Sequence, residues 1–166
     1  QNMAIVKPLI KMMIENKRRY HGRLLTFGEQ EVLIEKNVLE NYLGKTFETN
    51  SEINFKKIFY SLGFEKIETL EFTGNKSANI EHDLNLPIPK KHYSRYEFIL
   101  DSGHMEHCFN VPEIMKSIFY MLKENATIIH LNPFQGNANH GFYCFQPTFY
   151  FSFYRACKYL TYLFVH

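Results

Sequence analysis

The feature that most constrains this chain is an alternation. Short apolar runs of strand character, each closed by a turn signal, take turns with segments of helical spacing. Arg23 to Phe27 (RLLTF) is an apolar run closed by Gly28, and Asn54 to Leu62 (NFKKIFYSL) has helical spacing and stops at Gly63. Lys66 to Phe72 (KIETLEF) alternates like a strand up to Thr73-Gly74, and Tyr96 to Leu100 (YEFIL) reads as a buried strand ending at Asp101-Ser102-Gly103. Val111 to Leu122 (VPEIMKSIFYML) is an amphipathic helix with Pro112 near its first turn, where a missing N–H is tolerated, and Ala126 to Leu131 (ATIIHL) is the next strand. Strands separated by helices of this length pair in parallel through right-handed crossovers, which predicts an open, doubly wound α/β sheet. Ligands of such sheets sit beyond the carboxyl ends of the strands, so the residues just after each strand carry the functional argument.

Size and charge set the remaining bounds. With 166 residues, 45% of them apolar, and no linker, repeat or low-complexity tract, the chain is expected to form one domain over 1–166. Residues 3 to 20 read as an N-terminal helix with Ile5, Leu9, Met12 and Met13 on one face, running into the basic residues Lys17, Arg18, Arg19 and Arg23, a solvated cluster. A formal charge of +2 gives no reason to expect nucleic acid or an acidic membrane as partner. Cys108, Cys144 and Cys157 form no CxxC pair, and the apolar stretch from Met3 to Ile14 is broken by Lys7, Pro8 and Lys11. A reducing, cytoplasmic setting is the expectation, without leader or membrane span.

The strand ends supply Gly28-Glu29-Gln30, Glu71, Asp101-Ser102-Gly103 and Asn132-Pro133. An acid closing the second strand suits a ribose, because a carboxylate offers two acceptor oxygens and no donor. Glu71 holds that place. Taken together, the stretches FYSLGFEKIETLEFTG, IEHDLNLPIP and YEFILDSGHMEHCFNVPEIMKSIFYMLKENATIIHLNP, between Phe59 and Pro133, resemble the class I S-adenosylmethionine-dependent methyltransferases. Asn139-His140-Gly141-Phe142-Tyr143 is similar to a segment in a bacterial subgroup of these proteins. The resemblance covers about two thirds of the chain.

The resemblance implies a Rossmann-like sheet with S-adenosylmethionine as cofactor. Gly28 and Gln30 would line the loop near its methionine part, Glu71 would hold the ribose, and Asp83-Leu84 would meet the adenine. Asp101 and Ser102 would form the floor under the sulfonium, followed by Met105-Glu106-His107 leading into a helix. Two departures stand out. The family's glycine-rich loop is reduced to Thr26-Phe27-Gly28-Glu29-Gln30, and about twenty residues separate it from the next clear helix. Only 34 residues follow Asn132, so the sheet is expected to lack the family's terminal antiparallel hairpin.

Phe134 to His166 carries twelve of the 27 aromatic residues, which predicts a cover packed on the sheet, an acceptor-site lid or a homodimer surface. Methyl transfer from a sulfonium is an in-line displacement in which the protein chiefly aligns the reactants, and a base is needed only for a protic acceptor. His107 and His140 are the candidates. His104, His107 and Cys108, with His130 or His140, lack a second matched pair, so no metal is expected. No GxSxG elbow or GxGxxG fingerprint points to a hydrolase or a dinucleotide enzyme. The expected activity is methyl transfer to a small molecule or a carbohydrate intermediate. Its rival is a methyltransferase-like module that has lost turnover and acts by binding cofactor or protein.

Overall fold

A computed structural model describes residues 4–15, 20–48, 53–72, 78–136 and 138–158. Strand β1 (Ala4–Val6) runs straight into helix α1 (Lys7–Glu15). There follow β2 (Arg23–Phe27), β3 (Glu31–Leu33), α2 (Lys36–Leu43), α3 (Phe55–Leu62), β4 (Lys66–Glu71) and β5 (Ile80–Glu81). β6 (Tyr96–Ser102), α4 (Val111–Met121), β7 (Leu122–Leu131) and α5 (Pro147–Ala156) complete the order. The main sheet has the order β5-β4-β2-β6-β7 with every pair parallel, while β1 and β3 form a separate parallel pair. The chain enters the sheet at its centre, steps outward through β4 and β5, then returns to β6 and β7. Its order therefore reverses between β2 and β6, the place where open α/β sheets form their ligand crevice.

Side-chain alternation explains how both faces are covered. Leu24, Ile67, Phe98 and Leu100 point to one face and bury α1, α2 and α3 through Leu9, Met13, Leu39, Ile58 and Phe59. Leu25, Phe27, Leu70 and Ile99 point to the other, under Ile114, Met115 and Ile118 of α4 and Tyr154 of α5. Strands apolar on both faces are what a sheet sandwiched between helices requires.

Local chemistry fixes the element ends. The side chain of Asn54 accepts from Lys57 N–H at 2.9 Å and caps α3, and Gly63 ends that helix at φ 113°. A Cβ at Gly63 would lie 2.5 Å from the Tyr20 carbonyl oxygen, so the turn requires glycine twice over.

Several expectations need correction. The N-terminal segment is a strand and then a helix of nine residues, because Ala4–Val6 pairs with Glu31–Leu33. The interval after Gly28 is filled by β3 and α2. β7 begins at Leu122, directly after α4, and its register jumps from Tyr96↔Leu122 to Phe98↔Thr127, with Asn125 at φ 60° in the bulge. No antiparallel strand pair occurs among the described residues. Lys17, Arg18 and Arg19, the Thr73-Gly74 turn and the last eight residues of the aromatic tail lie outside the described residues. Phe145 and Tyr154 are buried and Phe149, Tyr150 and Phe153 pack on the same core, so the described part of the tail covers the sheet. No helix among the described residues is long and apolar enough to cross a membrane.

Candidate functional site

The carboxyl ends of β2 and β4 are tied together. Gly28, buried at φ 74°, donates its N–H to the Leu70 carbonyl at 2.8 Å, and Glu29 N–H donates to Glu71 Oε1 at 2.8 Å. That bond uses one of the two Glu71 oxygens. Gln30 is 4% exposed; its Nε2 donates to the carbonyls of Phe27 and Gly28 at 3.0 and 3.3 Å, while its Oε1 has no partner among the described residues. An unpaired buried acceptor costs about 1–3 kcal/mol, so a donor supplied by a ligand would be favoured there. Glu29, Gln30 and Val32 form one wall of an open cleft of about 410 Å³, faced by Ile53, Asn54, Phe55 and Lys56 at the start of α3. This volume is within the usual range of small-molecule sites. Of the site residues expected from the sequence, Gln30 lines it, whereas Gly28, Glu71, Asp83, Leu84, Asp101, Ser102, His107 and His140 do not.

After β5, Asp83 Oδ1 accepts from Asn85 N–H and Nδ2, both at 2.8 Å, closing an Asx turn. Leu84 is buried in the core under α4, and Asn85 accepts two hydrogen bonds from Asn110 at the start of that helix, one from its N–H on Oδ1 and one from its Nδ2 on the carbonyl. The Asp83-Leu84 segment thus sits on the same edge as Glu71, with the Leu84 side chain serving the core.

Asp101 is fully buried. Oδ1 accepts from the N–H groups of His104 and Met105 at 3.4 and 3.2 Å, and Oδ2 meets His130 Nδ1 at 2.8 Å. Asp101 and His130 are register partners on adjacent strands, hence on one face of the sheet. His130 Nε2 lies 2.6 Å from the Tyr154 hydroxyl, and its ring stacks on Tyr150 at 4.5 Å. Asp101 is therefore a positioning residue: it shapes the turn after β6 and, through His130, fastens α5 over the sheet. Ser102 is buried beside it. Burial pushes the titration of His104 down despite the nearby carboxylates of Asp101, Glu71 and Glu106, so the ring resists protonation.

A second network reaches the edge. Glu106, 1% exposed, takes Asn132 Nδ2 on Oε2 at 3.0 Å and faces His140 Nε2 with Oε1 at 3.3 Å. The Tyr150 hydroxyl donates to Asn132 Oδ1 at 2.6 Å, and the rings of His107 and His140 lie 4.9 Å apart. The loop carrying His140 is pressed onto the turn carrying Glu106: Phe142 N–H donates to the Glu106 carbonyl at 2.8 Å, and a Cβ at Gly141 would approach that oxygen to 2.8 Å. Next to this cluster Phe109 and Phe142, both exposed, stack at 4.1 Å.

Sequence reasoning brought His107 and His140 to one edge, and the fold sets them side by side. It named Glu106, Asn132, Asp101 and His130 separately but missed the Glu106–Asn132 bond and the Asp101–His130–Tyr154 chain that join them. The signal available for His130 was alternation: it shares a face with Ile128 on a strand next to the one ending in Asp101. Of the zinc set weighed from spacing, His107 and His140 alone are brought together among the described residues, with Glu106 as the third group. His130 is held by Asp101 and Tyr154, and burial, followed by the charges of Asp101, Asp83 and Glu106, pushes the Cys108 thiol up to about 12. No family model, curated protein or solved structure matches this chain.

Proposed function

We propose that the protein is an S-adenosylmethionine-dependent methyltransferase acting on a small molecule or a carbohydrate intermediate. One observation carries the reading: in an all-parallel β5-β4-β2-β6-β7 sheet, the second-strand acid Glu71 is bonded to the loop after the first strand through Glu29 N–H. This is where a Rossmann-like sheet takes a ribose. The residues fit the cofactor in donor and acceptor terms. Its ribose hydroxyls and methionyl ammonium are donors, and the edge offers the second oxygen of Glu71 and the unpaired Oε1 of Gln30.

S-adenosylmethionine, when bound, supplies an electrophilic methyl carbon. The chain has to hold the acceptor in line with it, a positioning effect worth several kcal/mol. The exposed Phe109–Phe142 stack offers a flat surface for a ring, planar or sugar, and the Glu106–His140–His107 cluster lies beside it, where a hydroxyl or amine acceptor would lose its proton. The remaining exposed aromatics, Tyr143 and Phe151 among them, leave apolar surface for a homodimer.

Equilibrium dialysis with labelled S-adenosylmethionine tests the cofactor assignment. Glu71→Ala should weaken binding at least tenfold, with the circular dichroism spectrum kept, and equal affinity would remove the assignment. A second reading, a module that binds without turnover, is favoured by the loop after β2, which has one glycine and leads into β3 rather than a helix. Saturable binding without transfer to any of a panel of hydroxyl, amine and sugar acceptors would support it.

A further inference from the structure

The cluster at the β6–β7 edge is built more closely than a general base requires. Glu106, His107 and His140 bring one ligand atom each to within 4.8 Å of one another, from two segments far apart in sequence. The distance between Glu106 Oε1 and His140 Nε2 is 3.3 Å. Two ligands of a tetrahedral zinc, with bonds of about 2.0–2.1 Å, stand about 3.3–3.4 Å apart, and a long N–H···O contact spans the same distance, so this pair is already spaced for an ion. The carboxylate is buried while His107 is exposed and His140 half-buried, so an ion can reach the cluster from solvent and meet an anion already shielded from it.

The three residues are held in place by their surroundings. Asn132 Nδ2 fixes the Glu106 oxygen that His140 does not face, and the Tyr150 hydroxyl in turn fixes Asn132. Outer partners of this kind orient metal-binding carboxylates. Gly141 lets the His140 loop lie against the Glu106 carbonyl, a contact any side chain at 141 would open. Its neighbours Phe142 and Tyr143 pin the loop by donating their N–H groups to that same oxygen at 2.8 and 3.3 Å.

We propose that Glu106, His107 and His140 form a binding site for a divalent transition-metal ion of the zinc class. Two imidazoles and one carboxylate match a zinc site with an open fourth position, and the imidazoles disfavour magnesium and calcium, which prefer oxygen. The inference deepens the proposed function: the open position is where an acceptor oxygen or nitrogen would coordinate and give up its proton to solvent. The two histidines then act as ligands in place of a base.

Cobalt(II) titration of the purified full chain, followed by visible absorption and by competition with zinc, tests this without cofactor or acceptor, so its failure is separable from that of the methyl-transfer reading. The expected result is one ion per chain with a Kd at or below micromolar and an absorption band of tetrahedral type. His107→Ala, a change at an exposed side chain that leaves the fold intact, should weaken binding at least tenfold, and Glu106→Gln and His140→Ala at least a hundredfold. Asn132→Ala should weaken it about 10- to 100-fold. Absence of the band with a Kd above 1 mM would overturn the proposal. So would cobalt affinity unchanged in His107→Ala and His140→Ala, which would assign the ion to another group such as the exposed Cys144.

Discussion

Removing the Asp101 carboxylate tests the β6–β7 network most sharply. Asp101→Ala strips the acceptor from His104 N–H, Met105 N–H and His130 Nδ1 in a site with no solvent access. The 3.4 Å bond is weak, and the other two leave buried donors at about 1–3 kcal/mol each, a loss of about 2–6 kcal/mol in all. For a domain of this size that lowers Tm by about 4–24 °C. Asp101→Asn keeps the shape and the oxygen facing the turn. It places an N–H₂ group opposite His130 Nδ1, so His130 must carry its proton on Nε2 and donate it to Tyr154, which a hydroxyl accepts. The expected cost is about 1–2 kcal/mol. Urea unfolding followed by far-UV circular dichroism reads both variants. A loss below about 1 kcal/mol for Asp101→Ala, or equal losses for the two variants, would refute the reasoning.

Stability should fall as pH drops below the ordinary histidine value of 6.5, because burial pushes His104 and His92 below it. The unfolded chain then binds more protons than the folded one. The urea midpoint should decline from pH 7.5 to 5, and less steeply in His104→Gln; a flat profile would contradict the burial argument. Below 4.5 a further decline is expected from Glu97. Burial raises its titration, but the side chain of Lys123 and the backbone N–H of Arg23 outweigh that and hold it low. Gly141→Ala should destabilise by about 1–3 kcal/mol through the forced contact with Glu106, read by thermal unfolding, and an unchanged Tm would show that the loop is free to move. Once an acceptor is found, His140→Ala should reduce turnover about 10²- to 10⁴-fold while leaving S-adenosylhomocysteine affinity within twofold, and an unchanged rate would remove His140 from the chemistry.

The main sheet was legible where a segment carries its own signal. KIETLEF has the two-residue period of a strand, RLLTF and YEFIL are short apolar runs, Gly28 and Gly103 mark strand turns, and Gly63 stops the intervening helix. β1 and β3 were not legible, since three-residue strands hold too little pattern and exist through each other. α2 buries Leu39 as its one fully covered side chain, so its apolar stripe is too narrow to stand out. Glu71 could be found because strand ends are positions a sequence exposes. The partners of His130 and Glu106 could not, because they are set by strand register and by a returning loop.

Calorimetric titration of the purified chain with S-adenosylmethionine and S-adenosylhomocysteine tests the proposal that the carboxyl edge around β2 and β4 takes this cofactor. Saturable binding of both near one site per chain is expected. A folded chain that releases no heat with either, over a range of temperatures, would contradict it.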